Sequence, residues 1–135
     1  MLTIGCHLSK HRGYAEMARE AASIHANTFQ YFTRSPRGSK QAELDAKDVQ
    51  EYHALATEYG IHDVLAYAPY DTDPATAKMS ERDFALMTYA EDLAQLTELG
   101  VPMYLVRPGS RLGISVDEGF ADVADALNKV ITPSQ

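Results

Sequence analysis

Four short runs of β-forming residues, each followed by a stretch with helical periodicity, predict an α/β fold built on a parallel sheet. A helix between each pair of strands requires right-handed crossovers, so the order βαβαβαβα reads as four βα units. No linker, low-complexity tract or sequence repeat interrupts that order. The 135 residues therefore form one domain, 1–135, with a frayed tail expected at 132–135.

The first β run covers residues 2–6 (LTIGC), and a helical stretch over about 13–25 follows a polar turn, with Met17, Ala18, Ala21, Ala22 and Ile24 on its apolar side. A second β run spans 27–32. After the loop TRSPRGSKQ, Asp45 has the character of an N-cap, with Leu44 before it and Val49 placed as its hydrophobic staple. That helix should run to Tyr59 and stop at Gly60. The third strand is predicted at 61–67 (IHDVLAY), and Ser80-Glu81-Arg82-Asp83 looks like a capping box for a helix ending at Leu99 and Gly100. A fourth strand falls at 102–106. Ser115-Val116-Asp117-Glu118 then caps a helix with Phe120, Val123, Ala124, Leu127 and Val130 on one face.

Four βα units amount to half of a (β/α)8 barrel, whose usual length is about 250 residues. Four parallel strands would expose two unpaired edges, an aggregation hazard that closure removes. A two-fold axis along the barrel would pair strand four of one copy with strand one of another, so a homodimer is the expected partner arrangement. A fragment of a longer chain is the alternative.

One cysteine, Cys6, allows no intrachain disulfide and fits a reducing cytoplasm. The N-terminus MLTIGCHLSK lacks the pattern of a signal peptide, and no segment approaches a membrane span, so a soluble cytoplasmic protein is expected. The formal charge of −7 opposes indiscriminate binding of polyanions.

The charge is unevenly distributed. In βα units the loops after the strands share one face. Three of these loops hold Lys10 and Arg12, then Arg34, Arg37 and Lys40, then Arg107 and Arg111, seven of the 12 Lys and Arg residues, and none holds an acid. Helix N-termini at the same face favour anions. This pattern predicts a basic mouth for a phosphate-bearing ligand, against the alternative of chance charge on solvated loops. The third loop, with Asp71 and Asp73, opposes duplex approach on its side.

The stretches Ile4-Gly5-Cys6-His7-Leu8-Ser9 with Gly13, Phe32-Thr33-Arg34-Ser35-Pro36-Arg37, Tyr67-Ala68-Pro69-Tyr70 and Arg107-Pro108-Gly109-Ser110 together resemble the N-terminal half of endonuclease IV. The resemblance implies a (β/α)8 barrel that cleaves DNA at abasic sites with three zinc ions. It also matches Arg37 to a DNA-contacting loop arginine, and Tyr70 to an aromatic that inserts beside the abasic nucleotide. Two matched positions differ. The family's third and fourth motifs open on zinc-binding histidines, where this sequence has Tyr67 and Arg107. A guanidinium has no lone pair to donate and repels a dication; a neutral phenol is a poor substitute for imidazole.

The family's remaining ligands lie on later strands. His7 at a strand end is one imidazole and not a zinc site, Cys6 should point to the opposite face, and His25, His53 and His62 read as ordinary surface or packing residues. The expectation is no cofactor, with zinc implied by the resemblance but unsupported by these residues.

Candidate ligand-binding residues are His7, Ser9, Arg37, Tyr67, Tyr70, Arg107 and Ser110. The leading function is an endonuclease IV-like half barrel, zinc-free and without cleavage, that binds DNA or a phosphate-containing ligand. There Arg107 would hold an anion, or simply mark a decayed site. A metal-free sugar or sugar-phosphate isomerase or lyase, with His7 as base, Tyr67 as acid and Arg107 as anion clamp, is the second reading. Residual abasic-site endonuclease activity with metals recruited across a dimer is the third.

Overall fold

The structure is a computed structural model that describes residues 1–35, 40–110 and 113–132. Its elements alternate: β1 (Gly5–His7), α1 (Tyr14–Ser23), β2 (Thr28–Phe32), α2 (Ala46–Tyr59), β3 (Leu65–Tyr67), α3 (Met79–Leu99), β4 (Met103–Leu105) and α4 (Val116–Val130). The strands form one sheet in the order β1-β2-β3-β4, all parallel, as the βαβ pattern requires. His7 pairs with Gln30, Gln30 with Leu65, and Leu65 with Met103. Residues paired in this way share a face, so these four lie on the face away from the helices.

The core lies on the other face. Phe29, Tyr31 and Ala66 point from the strands into a layer made by Met17, Ala18 and Ala21 of α1, Val49 and Tyr52 of α2, and Leu96 and Leu99 of α3. A smaller cluster of Ala68, Ala85 and Tyr89 continues it toward α4. The small side chains of α1 allow that helix to lie close to the strands.

The caps follow the sequence closely. Asp45 accepts from the amide of Lys47 at 2.9 Å, and Gly60 adopts the left-handed conformation at φ 66° that stops α2. Ser115 and Glu118 form the reciprocal capping box of α4. The N-terminus of α1 has no side-chain cap of its own. Asp48 of α2 supplies one, accepting from the Tyr14 amide at 2.7 Å and the Ala15 amide at 3.0 Å. Gly13, at φ 101°, leaves room for that carboxylate.

Three boundaries depart from expectation. β1 begins at Gly5 rather than at residue 2, because the Asn27 side chain takes up the Ile4 amide and the Leu2 carbonyl, leaving the Ile4 carbonyl to accept from the Asn27 backbone amide at 3.1 Å. The Asn27 Oδ1 accepts from the Ile4 amide at 2.7 Å and its side-chain amide donates to the Leu2 carbonyl at 2.9 Å. β3 begins at Leu65 because Asp63 takes φ 52°, which interrupts an extended run. α3 starts at Met79, so Ser80 is already inside the helix and cannot form the expected box with Asp83, and Lys78 at the cap position makes no side-chain cap bond. In α4, Phe120 is 70% exposed and Ala124 is also exposed, while Gly119 and Ala126 are the buried positions. The inner face of α4 is therefore rotated away from the stripe that hydrophobicity alone picks out.

Candidate functional site

The carboxyl ends of the strands bring four aromatic rings and a guanidinium into one connected row. His7 closes β1, and its ring lies edge-on to Phe32, which closes β2, with centroids 4.9 Å apart. Phe32 meets Tyr67, the last residue of β3, at 5.2 Å, and Tyr70 at the same separation. Tyr67 and Tyr70 stand perpendicular at 5.6 Å, and the Arg107 guanidinium lies 4.9 Å from the Tyr70 ring centroid. Edge-to-face pairs of this kind fix ring orientation, and a cation over a ring face is attracted to its quadrupole. His7, Tyr67, Tyr70 and Arg107 thus stand together as the strand-end pattern predicts. Phe32, which that reading treats only as part of a motif, is the ring that joins them.

The other candidates are placed less centrally. The Ser9 hydroxyl is engaged in its own turn, with His11 Nδ1 at 3.1 Å and the His11 amide at 3.5 Å. Ser110 donates its amide to Asp73 at 3.1 Å, which ties the fourth loop to the third. Gly109 fits this contact at φ 79°, since a Cβ there would come within 2.1 Å of the Asp73 carboxylate. Arg37 and Arg111 lie outside the described residues. Cys6 faces away from His7, as alternation requires, and is exposed. His25 and His62 precede strands at the far end of the sheet, and His53 Nε2 meets the Glu98 carbonyl at 3.3 Å.

The basic mouth is weaker than the loop charges predict. Arg34 is only 4% exposed, and its Nε and one terminal nitrogen bond a single oxygen of Asp92 at 3.2 and 2.6 Å. Glu91 adds a contact at 3.2 Å. Burial works against the guanidinium charge, but these carboxylates outweigh it and raise its pKa. Arg12 pairs with Glu16 and Glu20 at 3.5 and 3.9 Å. Lys10 donates to the Thr33 carbonyl, and burial lowers its pKa, with the Asp92 charge opposing and Arg34 adding to the effect. The loops hold no acids of their own, but α1 and α3 deliver acids to them. A count along the sequence cannot show that neutralisation.

Asp92 is the residue that sequence reasoning misses. It is fully buried and also accepts from Thr33 at 2.5 Å, Tyr104 at 2.6 Å and Gln41 at 2.9 Å. The available signal is its spacing: Ala85, Thr88, Tyr89, Asp92, Leu96 and Leu99 repeat along the inner stripe of α3, which puts an acid where an apolar side chain belongs.

Arg107 lines a cleft of about 580 Å³ together with Tyr70, Asp71, Asp73 and Glu81. His7 lines two other spaces: one of about 450 Å³ on the open sheet face with Gln30, Leu65 and Met103, and one of about 320 Å³ by the first loop. The anion clamp and base of the isomerase reading therefore border different cavities. Zinc is tested by the donor set. The row offers one imidazole, two phenols and a guanidinium, and among the described residues no three His, Cys, Asp or Glu side chains converge into a metal-sized group. This half does not fit a zinc ion by itself. Among the described residues, no helix is long and apolar enough to cross a membrane.

The four parallel βα units make one half of a (β/α)8 barrel, an architecture whose active sites sit at the carboxyl ends of the strands. The profile of the xylose isomerase-like TIM barrel family matches residues 18–133, and the chain belongs to that family. It is similar to "Probable endonuclease 4" of Alkaliphilus oremlandii, 43% identical over the whole chain and 48% of the relative's length. It is likewise similar to the protein of that name in Akkermansia muciniphila, 45% identical over 98% of the chain and 48% of the relative. The chain spans about half the length of these curated relatives. Among solved structures, endonuclease IV of Thermus thermophilus superposes with a TM-score of 0.78 at 26% identity, covering 93% of this chain and 46% of that one. D-psicose 3-epimerase of Clostridium cellulolyticum, at 11% identity and a TM-score of 0.58 over 94% of this chain and 47% of that one, shares the fold alone.

Proposed function

We propose that this chain is an endonuclease IV-like half barrel that pairs with a second copy and holds DNA or a phosphate-bearing ligand at the joint mouth, without zinc and without cleavage. The observation that carries this reading is the guanidinium of Arg107 seated on Tyr70, in a row with Tyr67, where the resemblance places zinc-binding imidazoles. A permanent cation beside an exposed aromatic ring can hold a phosphate and an unpaired base at once. His7, Tyr67, Tyr70, Arg107 and Arg37 are the residues assigned to that contact, with Ser9 and Ser110 shaping its rim.

The edges of the sheet support the pairing. Among the described residues, the outer edges of β1 and β4 have no strand partner, and large apolar side chains flank both. Leu2 and Ile4 precede β1, Ile24 ends α1, Met103 opens β4, and Phe120 and Ile131 lie in and just after α4; all six are exposed. Asp122, paired with Arg82, marks the α4 flank facing α3. Phe120, two residues away, is turned about 200° from it, toward the open edge. The six exposed side chains sum to between three and four full residues, on the order of 600 Å², before backbone edges and sheet face are added, against ~800 Å² per partner in a standard interface.

Fluorescence anisotropy with abasic duplex, intact duplex and single-stranded oligonucleotides, at several salt concentrations, tests the ligand. Binding that weakens with salt and favours the abasic or unpaired strand supports the reading. No binding to any oligonucleotide or to inorganic phosphate removes it.

The name carried by the curated relatives favours a second reading, abasic-site cleavage with metals completed by whatever supplies the other half of the barrel. Elemental analysis of protein purified without chelator separates the two, since stoichiometric zinc together with incision of abasic DNA replaces the first reading by the second.

A further inference from the structure

The cavity of about 320 Å³ by the first loop is lined by His7, Ser9, Lys10, His11, Phe32 and Arg34. Its size suits a small molecule, and among these groups only Lys10 carries an amine. Lysine amines in water are protonated and poor nucleophiles, and they become reactive when desolvated or set beside another cation. Lys10 meets the first condition, its burial outweighing the opposing charge of Asp92. It is half-buried, its Nζ donates to the Thr33 carbonyl, and it lies 5.9 Å from the Tyr14 ring centroid. The groups facing it are His7 from β1, His11 from its own turn, Tyr14 from α1, Arg34 after β2 and Asp92 from α3. Arg34 is buried against Asp92, so its cation is fixed in place.

We infer that Lys10 is an imine-forming nucleophile for small aldehydes or ketones admitted to this cavity, with His7 as the proton-transfer group. The Nζ lone pair forms the N–C bond as the carbonyl π pair moves to oxygen. A proton then passes from nitrogen to that oxygen through the imidazole. A second transfer releases the oxygen as water while C=N forms. No oxidant or reductant is consumed, and the inference stands independently of DNA binding.

The test uses the intact protein with glycolaldehyde at pH 7, cyanoborohydride as the external reductant that traps the imine, and peptide mapping by mass spectrometry. Lys10 is expected to be labelled at least tenfold faster than the exposed Lys47, Lys78 and Lys129, with half-maximal rate at a pH below the ~10.4 of an ordinary lysine. His7→Gln should slow labelling of Lys10 and leave Lys47 unchanged. Lys10→Arg should remove the fast site. Should that variant fail to fold, mapping of the unsubstituted chain decides alone. Equal labelling of the lysines, or Lys10 as the slowest, overturns the inference; an unchanged Lys10 rate in His7→Gln overturns the role of the imidazole.

Discussion

Asp92 of α3 joins the β2–α2 loop to β4 through Thr33, Arg34, Gln41 and Tyr104, and its place on the inner stripe of α3 is the one local sign of that role. A buried ion pair adds little net stability, but breaking one leaves a lone charge in the interior. Asp92→Ala should therefore cost about 3–5 kcal/mol in urea unfolding, and pairing it with Arg34→Met should recover most of that loss. The phenols give a second prediction. Burial pushes Tyr14, Tyr52 and Tyr89 up to about 12, and raises Tyr31 and Tyr104 further still, Tyr104 with the Asp92 charge adding to the effect. The folded chain holds these protons more tightly than the unfolded one, so the associated stability is complete below pH ~10 and is lost as pH rises toward 12. Phenolate absorbance from these five residues should appear together with unfolding, and an earlier separate step would contradict their burial. At this scale the sequence shows which residue types reach the mouth. It does not show that Glu91 and Asp92 neutralise Arg34, because that contact joins a loop to a helix more than fifty residues away, whereas the Arg12–Glu16 pair is local.

The elements are largely readable, for a local physical reason: caps and left-handed stops are encoded within a few residues of where they act. Ser115→Ala removes one half of the α4 capping box and should lower stability by about 1 kcal/mol in thermal unfolding. The unreadable boundaries depend on remote partners. α1 is capped by Asp48 from another helix, and residues 2–4 are held by Asn27. Gly109 belongs to the same class, since its close approach to Asp73 is invisible in RPGSRL. Gly109→Ala should displace the loop that carries Arg107 and weaken oligonucleotide binding several-fold, with a smaller change in melting temperature. Equal loss of both would assign the glycine to folding alone.

For the whole molecule, the order of elements and the length are enough to read half a barrel, and the match to endonuclease IV of Thermus thermophilus over 46% of that chain agrees. The outward turn of Phe120 is not readable, because periodicity defines an apolar stripe but not which of its flanks meets a neighbour. If a second copy covers that flank, Phe120→Glu should shift the protein from twice the chain mass toward the single mass in light scattering, with little loss of helix by circular dichroism. Monomeric unsubstituted protein at high concentration would exclude the pairing. The like polarity of all four strands has one further consequence. A ribbon whose left margin accepts any right margin can add units without end, like tiles along a track. Only enough bending to bring the last margin round to the first would make assembly stop at two, so the proposed pairing depends on the coil of the sheet rather than on the chemistry of its rims.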